Sequence, residues 1–332
     1  MKILTIGGNR VAQSLKSAVH GLELFGDEVE SCLPRRVFQN THDHDQVFDL
    51  VRDSKPSCYD AVLFWNPKRE MPLNIVQWVT TQVPTVYWTV DDPNYEEAGS
   101  PVRRACSATL TCCQDSVDRY EKEGQPAALA YPPVNVKAGA YDLMTYDPAW
   151  ACDVSFMAGN AYRMSEFPKM YADRPTIADR LIREGFDFMA FGHWDQKSGG
   201  WGRKGIAFDK AHYGGFVHPD SNTLFYRTCA INLNSHVRPD GLRYYNERLI
   251  HCLGSGGFML CDKVNGIELD FTPGEHLDVW SSLDELVEKV RFYLENPEKR
   301  KAIALQAALY VTAKFSNIEF ARTLHTLVKR IR

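Results

Sequence analysis

The stretch AINLNSHVRPDGLRYYNERLIHCLGSGGFMLCD, residues 230–262, decides the fold of this chain. It starts with a short apolar run, passes through a polar loop into a segment whose apolar residues are spaced as in a helix, and ends with glycines and a second apolar run. The pattern predicts a strand at 230–233, a helix beginning near Gly241 and covering 241–253, and a strand at 256–262.

The same alternation of strand and helix extends through both halves of the chain. Continuous apolar strands that alternate with helices indicate parallel sheets covered on both faces, which is an α/β fold. The other predicted strands lie at 1–6, 61–65, 84–90, 107–113, 128–132, 153–158 and 186–191. The other predicted helices lie at 11–25, 44–53, 73–82, 114–123, 170–184, 220–229, 282–295, 297–312 and 317–332.

The length of 332 residues allows about two domains of roughly 150 residues each. Residues 132–150 contain three prolines and no periodic apolar pattern, so they are predicted to be the linker. We expect Rossmann-like domains at 1–150 and 151–312, and a helix at 313–332 that is able to cross back to the first domain. Two such domains facing across a cleft suit an enzyme that joins two substrates, and equally epimerases, phosphorylases and binding proteins.

The composition limits the location of the protein and its partners. No apolar run approaches the ~20 residues that span a bilayer, and the N-terminus has the pattern of a strand rather than of a signal peptide. We therefore expect a cytoplasmic protein without a membrane span. The nine cysteines are odd in number and are expected to be reduced and mostly buried. A net charge of −4 argues against a nucleic-acid backbone as the main partner.

Two charged residues mark a candidate anion site in the opening stretch. The start of the predicted 241–253 helix would offer free N–H groups and a positive dipole end to a phosphate. Arg243 would lie in the first turn of this helix, where its positive charge opposes the helix dipole. A role in binding an anion would explain a cation at this position. Glu247 would share the face of Arg243 and could accept hydrogen bonds from ribose hydroxyls. An exposed ion pair of small energetic consequence is the competing interpretation.

Stretch 230–262 resembles the donor half of the CgeB-like glycosyltransferases of the spore maturation protein type, a GT-B group. The matching residues are Leu233-Asn234, Asp240-Gly241, Arg243, Glu247 and Gly256-Gly257. Further matches are Gly159-Asn160 with Arg163, Phe191-Gly192-His193-Trp194, Leu224 to Tyr226, Glu285, Tyr293 and Arg300. The resemblance covers about residues 150–325 well, and the first half, with Val90 to Pro93 and Tyr131 to Pro133, less.

The resemblance implies roles for several residues of the second half. Glu247 would bind the ribose of a nucleotide, and Arg163 would approach its diphosphate. The backbones of Gly159-Asn160 and Gly256-Gly257 would come close to the donor. Arg238 and Asp240 complete the expected donor-binding set, although Pro239 occupies the position where many retaining enzymes carry a second acid. No metal and no cofactor are implied beyond the nucleotide-diphosphate sugar itself.

The first half contributes weaker candidates. Asp91 and Asp92 follow an apolar strand and are candidates for the catalytic base, with turn chemistry before Pro93 as the alternative. Gly7 and Gly8 end the first strand and could approach a phosphate or the acceptor, or simply form a tight turn. They do not form a G-x-G-x-x-G fingerprint, so no dinucleotide cofactor is indicated.

The loop 196–204 is basic, aromatic and glycine-rich. It could act as a lid that places Lys204 on a phosphate, or be only a flexible loop.

Together these features predict a metal-independent glycosyltransferase, a hexosyl- or pentosyltransferase, that moves a sugar from a nucleotide-diphosphate sugar to an acceptor hydroxyl. The acceptor is open among protein, glycan, small molecule and, less favoured by the net charge, modified nucleic acid. Two alternatives remain. One is a non-catalytic nucleotide-binding or morphogenetic protein with a degenerate GT-B fold, and the other is a sugar-nucleotide epimerase.

Overall fold

The computed structural model describes residues 1–7, 13–32, 44–66, 71–94, 96–135, 146–159, 174–194, 200–202 and 209–332. The chain divides into two compact units, of which the first comprises residues 1–136 and 315–332 and the second residues 137–314. Each unit contains a six-stranded sheet in which all strand pairs are parallel. The predicted α/β fold of two Rossmann-like domains is therefore confirmed.

The first unit has the strand order β2-β1-β3-β4-β5-β6. Its strands are β1 (Lys2–Gly7), β2 (Glu28–Cys32), β3 (Ala61–Trp65), β4 (Thr85–Trp88), β5 (Ala108–Thr111) and β6 (Ala127–Leu129). Its described helices are α1 (Gln13–Leu24), α2 (His44–Asp53), α3 (Leu73–Thr80), α4 (Glu96–Ala105), α5 (Gln114–Lys122) and, from the chain's end, α11 (Asn317–Ile331).

The second unit has the strand order β12-β11-β10-β7-β8-β9. Its strands are β7 (Val154–Met157), β8 (Phe188–Phe191), β9 (Tyr213–Gly215), β10 (Ile231–Asn234), β11 (Met259–Asp262) and β12 (Asp278–Trp280). Its described helices are α6 (Arg174–Arg183), α7 (Asn222–Thr228), α8 (Glu247–Gly254), α9 (Leu283–Glu295) and α10 (Pro297–Lys314). No helix of the described part is long and apolar enough to cross a bilayer.

The last helix belongs to the first unit. The apolar face of α11 packs with β1, α1 and β4 into one buried cluster that includes Ile3, Ala18, Trp88, Phe320 and Leu324. All nine cysteines carry free thiols, and eight of them are buried. This agrees with the expectation of reduced cysteines in the core.

The structure contains elements that the apolar pattern did not indicate. Strand β2 has only one buried residue and lies at a sheet edge, so its sequence lacks an apolar run. Strands β9 and β12 are three-residue edge strands. Helix α4 contains Pro101, which interrupts a helical pattern.

The units divide at residues 136 and 137 and again at 314 and 315, whereas the sequence suggested 150 and 312. Residues 146–150 pack on the second unit. The backbone N–H of Asp147 donates to Thr228 Oγ1 at 3.2 Å, and the Trp150 ring meets the Phe225 ring edge-on at 5.9 Å.

Gly21 of α1 lies against the first residue of α11, Asn317. A Cβ atom at this position would lie 2.1 Å from the carbonyl oxygen of Asn317, which is backbone and cannot turn away. We predict that Gly21→Ala lowers the free energy of unfolding by about 2–3 kcal/mol because the two helices must separate. Denaturant unfolding followed by circular dichroism measures this change.

The matched control is Ser17→Ala, one turn earlier on α1. Ser17 is buried, and within the described residues its hydroxyl has no hydrogen-bond partner. Its removal should leave stability unchanged or slightly raised. Equal stability of Gly21→Ala and wild type would contradict the assigned close contact.

Candidate functional site

The strand order of the second unit fixes where a ligand can bind. From the first strand, β7, the chain continues to β8 and β9 on one side, and then returns to β10, β11 and β12 on the other. In such sheets the crevice lies at the carboxyl ends of the two strands where the order reverses, here β7 and β10. Gly159 follows β7 and Ser235 follows β10.

Arg174, the first residue of α6, connects these two strand ends. It is buried, with 8% of its surface exposed. One guanidinium nitrogen donates to the carbonyl oxygen of Gly159, and the other donates to that of Ser235 at 3.1 Å. The side chain therefore lies at the reversal point of the sheet.

A second guanidinium reaches the same carbonyl. Arg248, the half-buried second residue of α8, donates from Nη2 to the carbonyl oxygen of Ser235 at 3.1 Å and from Nε to Asn234 Oδ1 at 3.2 Å.

Burial, followed by the neighbouring Arg248 charge, lowers the pKa of Arg174 to about 9. Within the described part of the chain neither arginine forms an ion pair with a carboxylate. Such a pair of cations favours an anion at this edge.

An amide pair joins the end of β10 to the start of α8. Asn234 Nδ2 donates to Asn246 Oδ1 at 3.1 Å, and Asn246 Nδ2 donates to Asn234 Oδ1 at 3.0 Å. Asn246 is also the N-cap of α8, since its Oδ1 accepts from the Leu249 N–H at 3.1 Å. Arg248 is thus carried by a helix whose first turn is hydrogen-bonded to the strand end.

Behind these residues lies a buried His–Asp pair. His236 Nδ1 is 2.7 Å from Asp262 Oδ1, and Asp262 Oδ2 accepts from the His236 backbone N–H at 2.7 Å. Cys261 Sγ lies 3.9 Å from the same His236 nitrogen. Two ligands of one zinc ion, each about 2.0–2.2 Å from it, would be roughly 3.3 Å apart, so the 2.7 Å distance corresponds to a hydrogen bond.

The helix that carries Glu247 begins later than predicted. It starts at Glu247 rather than near Gly241, because Asn246 provides its cap. Arg243 lies in the preceding loop with a φ of 51°, and its backbone N–H donates to the carbonyl of Asn265 at 2.8 Å. Arg243 and Glu247 therefore do not share a helix face, and the predicted placement of Arg243 in the first turn is wrong.

The side chain of Arg243 binds a carboxylate, that of Asp270. Its Nε and Nη2 donate to the two oxygens of Asp270 at 2.8 and 2.7 Å, and Tyr245 Oη donates to the same group at 2.8 Å. Arg238 and Asp240 pair with one another across the same loop at 2.9 Å. The hydrogen bond from Arg238 lowers the pKa of Asp240.

The glycine pair before β11 lies at the other edge of the sheet. Gly256 and Gly257 precede β11, so they are at its amino end, whereas Asn234 ends the neighbouring parallel strand. Gly256 has a φ of 81° in the turn after α8. A Cβ at residue 257 would be 2.7 Å from the carbonyl oxygen of Tyr226. Helix termination and close packing account for both glycines in this structure, and the predicted approach of their backbone to a donor stays a prediction.

Glu247 and Gly159 remain at the carboxyl edge. Glu247 is the first residue of α8, and its side chain is 42% exposed. Its Oε1 atom lies 3.8 Å from His251 Nδ1. Asn160, Arg163, Gly8 and Lys204, which the sequence also suggested, lie outside the described residues.

In the first unit, the two candidate acids follow β4 and differ in environment. Asp92 is buried and accepts hydrogen bonds from Thr111 Oγ1 at 2.8 Å and Tyr120 Oη at 2.7 Å. Burial raises the pKa of Asp92 despite these two donors. Asp91 is half-buried and accepts from Asn66 Nδ2 at 2.7 Å. Gly7 is buried at the end of β1 opposite Trp65.

Sequence reasoning missed the two arginines of the crevice. Arg174 was only part of a helical pattern, and it reaches Ser235 from a distant part of the chain. Arg248 follows Glu247 directly, and the Asn246 cap that positions it was readable from the sequence. Two asparagines, Asn232 and Asn234, in an otherwise apolar strand were a further signal, since both are buried.

Residues 174–326 match the family model described as glycosyl transferase-like. The matched segment includes Arg174, Ser235 and Arg248. No sequence among the curated proteins matches the chain.

Several solved structures share the fold over the whole chain. HepE of Anabaena, in complex with UDP-glucose, has a TM-score of 0.63 at 14% identity, covering 99% of this chain and 100% of that chain. Sucrose-phosphate synthase of Thermosynechococcus elongatus has a TM-score of 0.67 at 10% identity, covering 100% and 99%. The DNA-modifying enzyme β-glucosyltransferase, studied with and without uridine diphosphoglucose, has a TM-score of 0.61 at 13% identity, covering 99% and 100%. The fold is therefore that of the GT-B glycosyltransferases.

The position of Arg243 gives a stability prediction. Arg243→Ala leaves Asp270, which is largely buried, without its bidentate partner, and we expect the free energy of unfolding to fall by about 2 kcal/mol. Chemical denaturation measures the loss. The double variant Arg243→Ala/Asp270→Ala should lose less than the sum of the two single losses, because neither charge is then left alone. Strictly additive losses would argue against the pair.

Proposed function

We propose that this chain, whose residues 174–326 match the glycosyl transferase-like family, transfers a sugar from a nucleotide-diphosphate sugar to an acceptor hydroxyl. The observation that carries the proposal is the meeting of Arg174 and Arg248 at the reversal point of the second sheet. Two adjacent cations that have no paired carboxylate among the residues the structure describes are suited to a diphosphate, which brings negative charge to them.

The same charges serve the chemistry of transfer. When the bond between the sugar and the diphosphate breaks, negative charge grows on the leaving group, and fixed guanidinium groups stabilise it. Arg174 is immobilised by two carbonyl groups and Arg248 by Asn234 and Ser235, so neither needs to reorganise during the reaction. Because these cations supply the positive charge, we propose that the transfer needs no metal ion.

Glu247 is the proposed ribose ligand. It is adjacent to Arg248 on the first turn of α8, and its carboxylate is partly exposed at the carboxyl edge of the sheet. A carboxylate there can accept hydrogen bonds from both ribose hydroxyls while the diphosphate is held by the guanidinium groups. Gly159, which carries no side chain beside Arg174, is proposed to leave room for the donor.

An aromatic pair further along the same edge is proposed to hold the base. His193 follows β8 and Phe216 follows β9. Their ring centroids are 4.7 Å apart with an interplanar angle of 34°, and Phe216 is 54% exposed. Strands β8 and β10 are two positions apart, so their ends are separated by about 10 Å. A nucleoside diphosphate is long enough to bridge that distance. Since HepE was solved with UDP and UDP-glucose, we propose uracil as the base.

The first unit is proposed to receive the acceptor, with Asp91 as the catalytic base. Asp91 is the more exposed of the two acids, whereas Asp92 is closed in by Thr111 and Tyr120 and is proposed to hold the turn in place. We further propose that the protein acts in the cytoplasm on a hydroxyl of a protein, a glycan or a small molecule.

Removing the Arg248 charge tests the proposal directly. Arg248→Met should weaken UDP binding by roughly ten- to a hundredfold, because a charge-assisted contact to phosphate is lost. Glu247→Ala should weaken it by roughly tenfold through lost ribose hydrogen bonds. Isothermal titration calorimetry with UDP measures both changes.

Arg180→Met is the matched control, because Arg180 lies on α6, six residues after Arg174, and pairs with Glu184 and Asp284. It should bind UDP as wild type does. Unchanged UDP affinity in Arg248→Met would refute the diphosphate assignment. Conversion of UDP-sugars without any acceptor would instead identify an epimerase.

The base assignment has its own test. Phe216→Ala should weaken UDP binding by about tenfold, since loss of stacking costs roughly 1–3 kcal/mol per base. It should leave the binding of inorganic pyrophosphate unchanged, because that ligand has no base. Phe216→Tyr keeps the ring and should bind UDP normally. Equal losses for UDP and pyrophosphate in Phe216→Ala would show a general disturbance of the edge rather than a stacking contact.

A further inference from the structure

We propose that His236 is a positioning residue of the donor site, which holds Arg248 in place through the amide of Asn234. The inference rests on the proposed function, in that Arg248 is taken as a ligand of the diphosphate. His236 itself is not a catalytic residue, because its side chain is fully buried and cannot touch the donor.

Asp262 fixes the orientation of the His236 ring. One carboxylate oxygen accepts from the backbone N–H of His236, and the other lies 2.7 Å from Nδ1. We infer from this contact a neutral ring whose proton is on Nδ1 and faces the carboxylate. The second ring nitrogen, Nε2, is then an acceptor. It lies 3.4 Å from Asn234 Nδ2. The His236 ring therefore presents a hydrogen-bond acceptor to the amide nitrogen of Asn234.

The orientation of the Asn234 amide decides what Arg248 meets. With Nδ2 directed to His236 Nε2 and Asn246 Oδ1, the amide oxygen Oδ1 faces Arg248 Nε at 3.2 Å. If the amide turned over, its NH₂ group would face the guanidinium N–H, and two donors would oppose one another. His236 and the Asn246 cap thus jointly select the amide orientation that accepts from Arg248.

The charged and titratable groups around the ring fit a positioning role. Asp262 and Cys261, which belong to β11, contact His236. The ring of Tyr244, in the loop before α8, meets the His236 ring edge-on at a centroid distance of 5.6 Å. Arg174 of α6 binds the carbonyl oxygen of Ser235, the residue before His236. Within the described residues, Asp262 is the carboxylate that contacts His236. Its charge is engaged by His236, which keeps it from pairing with the guanidinium groups that we assign to the diphosphate.

A double-mutant cycle between His236 and Arg248 tests the proposal, with UDP as the probe. His236→Asn can still donate to Asp262 but lacks the acceptor at the Nε2 position. We expect it to weaken UDP binding by about tenfold. In the Arg248→Met background the same change should have no further effect, because the residue through which it acts is gone. His236→Gln, whose amide oxygen can reach the Nε2 position, should restore binding to within about threefold of wild type.

His212→Ala is the control for losing a histidine from this unit, since His212 lies at the other end of β8 beside the Phe188 carbonyl. It should bind UDP as wild type does. If His236→Asn fails to fold, Asn234→Ala breaks the same chain of hydrogen bonds and should show the same non-additivity with Arg248→Met. Additive losses, or wild-type affinity in a folded His236→Asn, would overturn the positioning role. Failure of Arg248→Met to weaken UDP binding would instead overturn the proposed function.

Discussion

Two guanidinium groups share one carbonyl oxygen, that of Ser235, at the point where the strand order of the second sheet reverses. Burial of the Arg174 guanidinium, and after it repulsion by the neighbouring Arg248 charge, lowers the pKa of Arg174, which shows that the contact is costly. The arrangement persists because each group is fixed by backbone or amide oxygens that cannot move without disturbing a strand end. The remaining features of the second unit can be understood as supports of this contact.

The supports come from both sides of the contact. Arg174 starts α6 and Arg248 lies in the first turn of α8, so both helices must begin at the carboxyl edge. The Asn234–Asn246 pair joins the end of β10 to the cap of α8, and His236 with Asp262 fills the space behind it with a satisfied hydrogen-bond network. Buried polar groups of this kind are costly unless every partner is present, so they define one geometry. A rigid geometry is what stabilisation of a leaving group requires.

The sequence predicted the architecture because apolar runs and helical spacing reflect burial, and burial dominates the formation of central strands and long helices. Edge strands such as β2 escaped prediction because a strand exposed on most of its length needs no apolar run. The start of α8 was placed six residues too early because the apolar pattern cannot separate a helix from a buried loop, and Tyr244 and Tyr245 are buried without being helical. The partners of Arg243 and Arg174 were beyond sequence reasoning, because Asp270 and Ser235 are brought to them only by tertiary folding.

Chain direction determines at which edge of the sheet each predicted site residue lies. In a parallel sheet every residue that follows a strand lies at one edge, and every residue that precedes a strand lies at the other. Ser235 and His236 follow β10, whereas Gly256 and Gly257 precede β11, although both sets belong to one continuous pattern of polar and small residues. The glycine pair before β11 ends α8 and admits close packing at the amino end of the strand. The same rule applied to the first unit leaves Asp91 and Gly7 at the carboxyl edge, and burial then separates Asp91 from Asp92, whose oxygens are already engaged by Thr111 and Tyr120. Position along a strand therefore limits which residues can act, and burial limits which of those residues a substrate can reach.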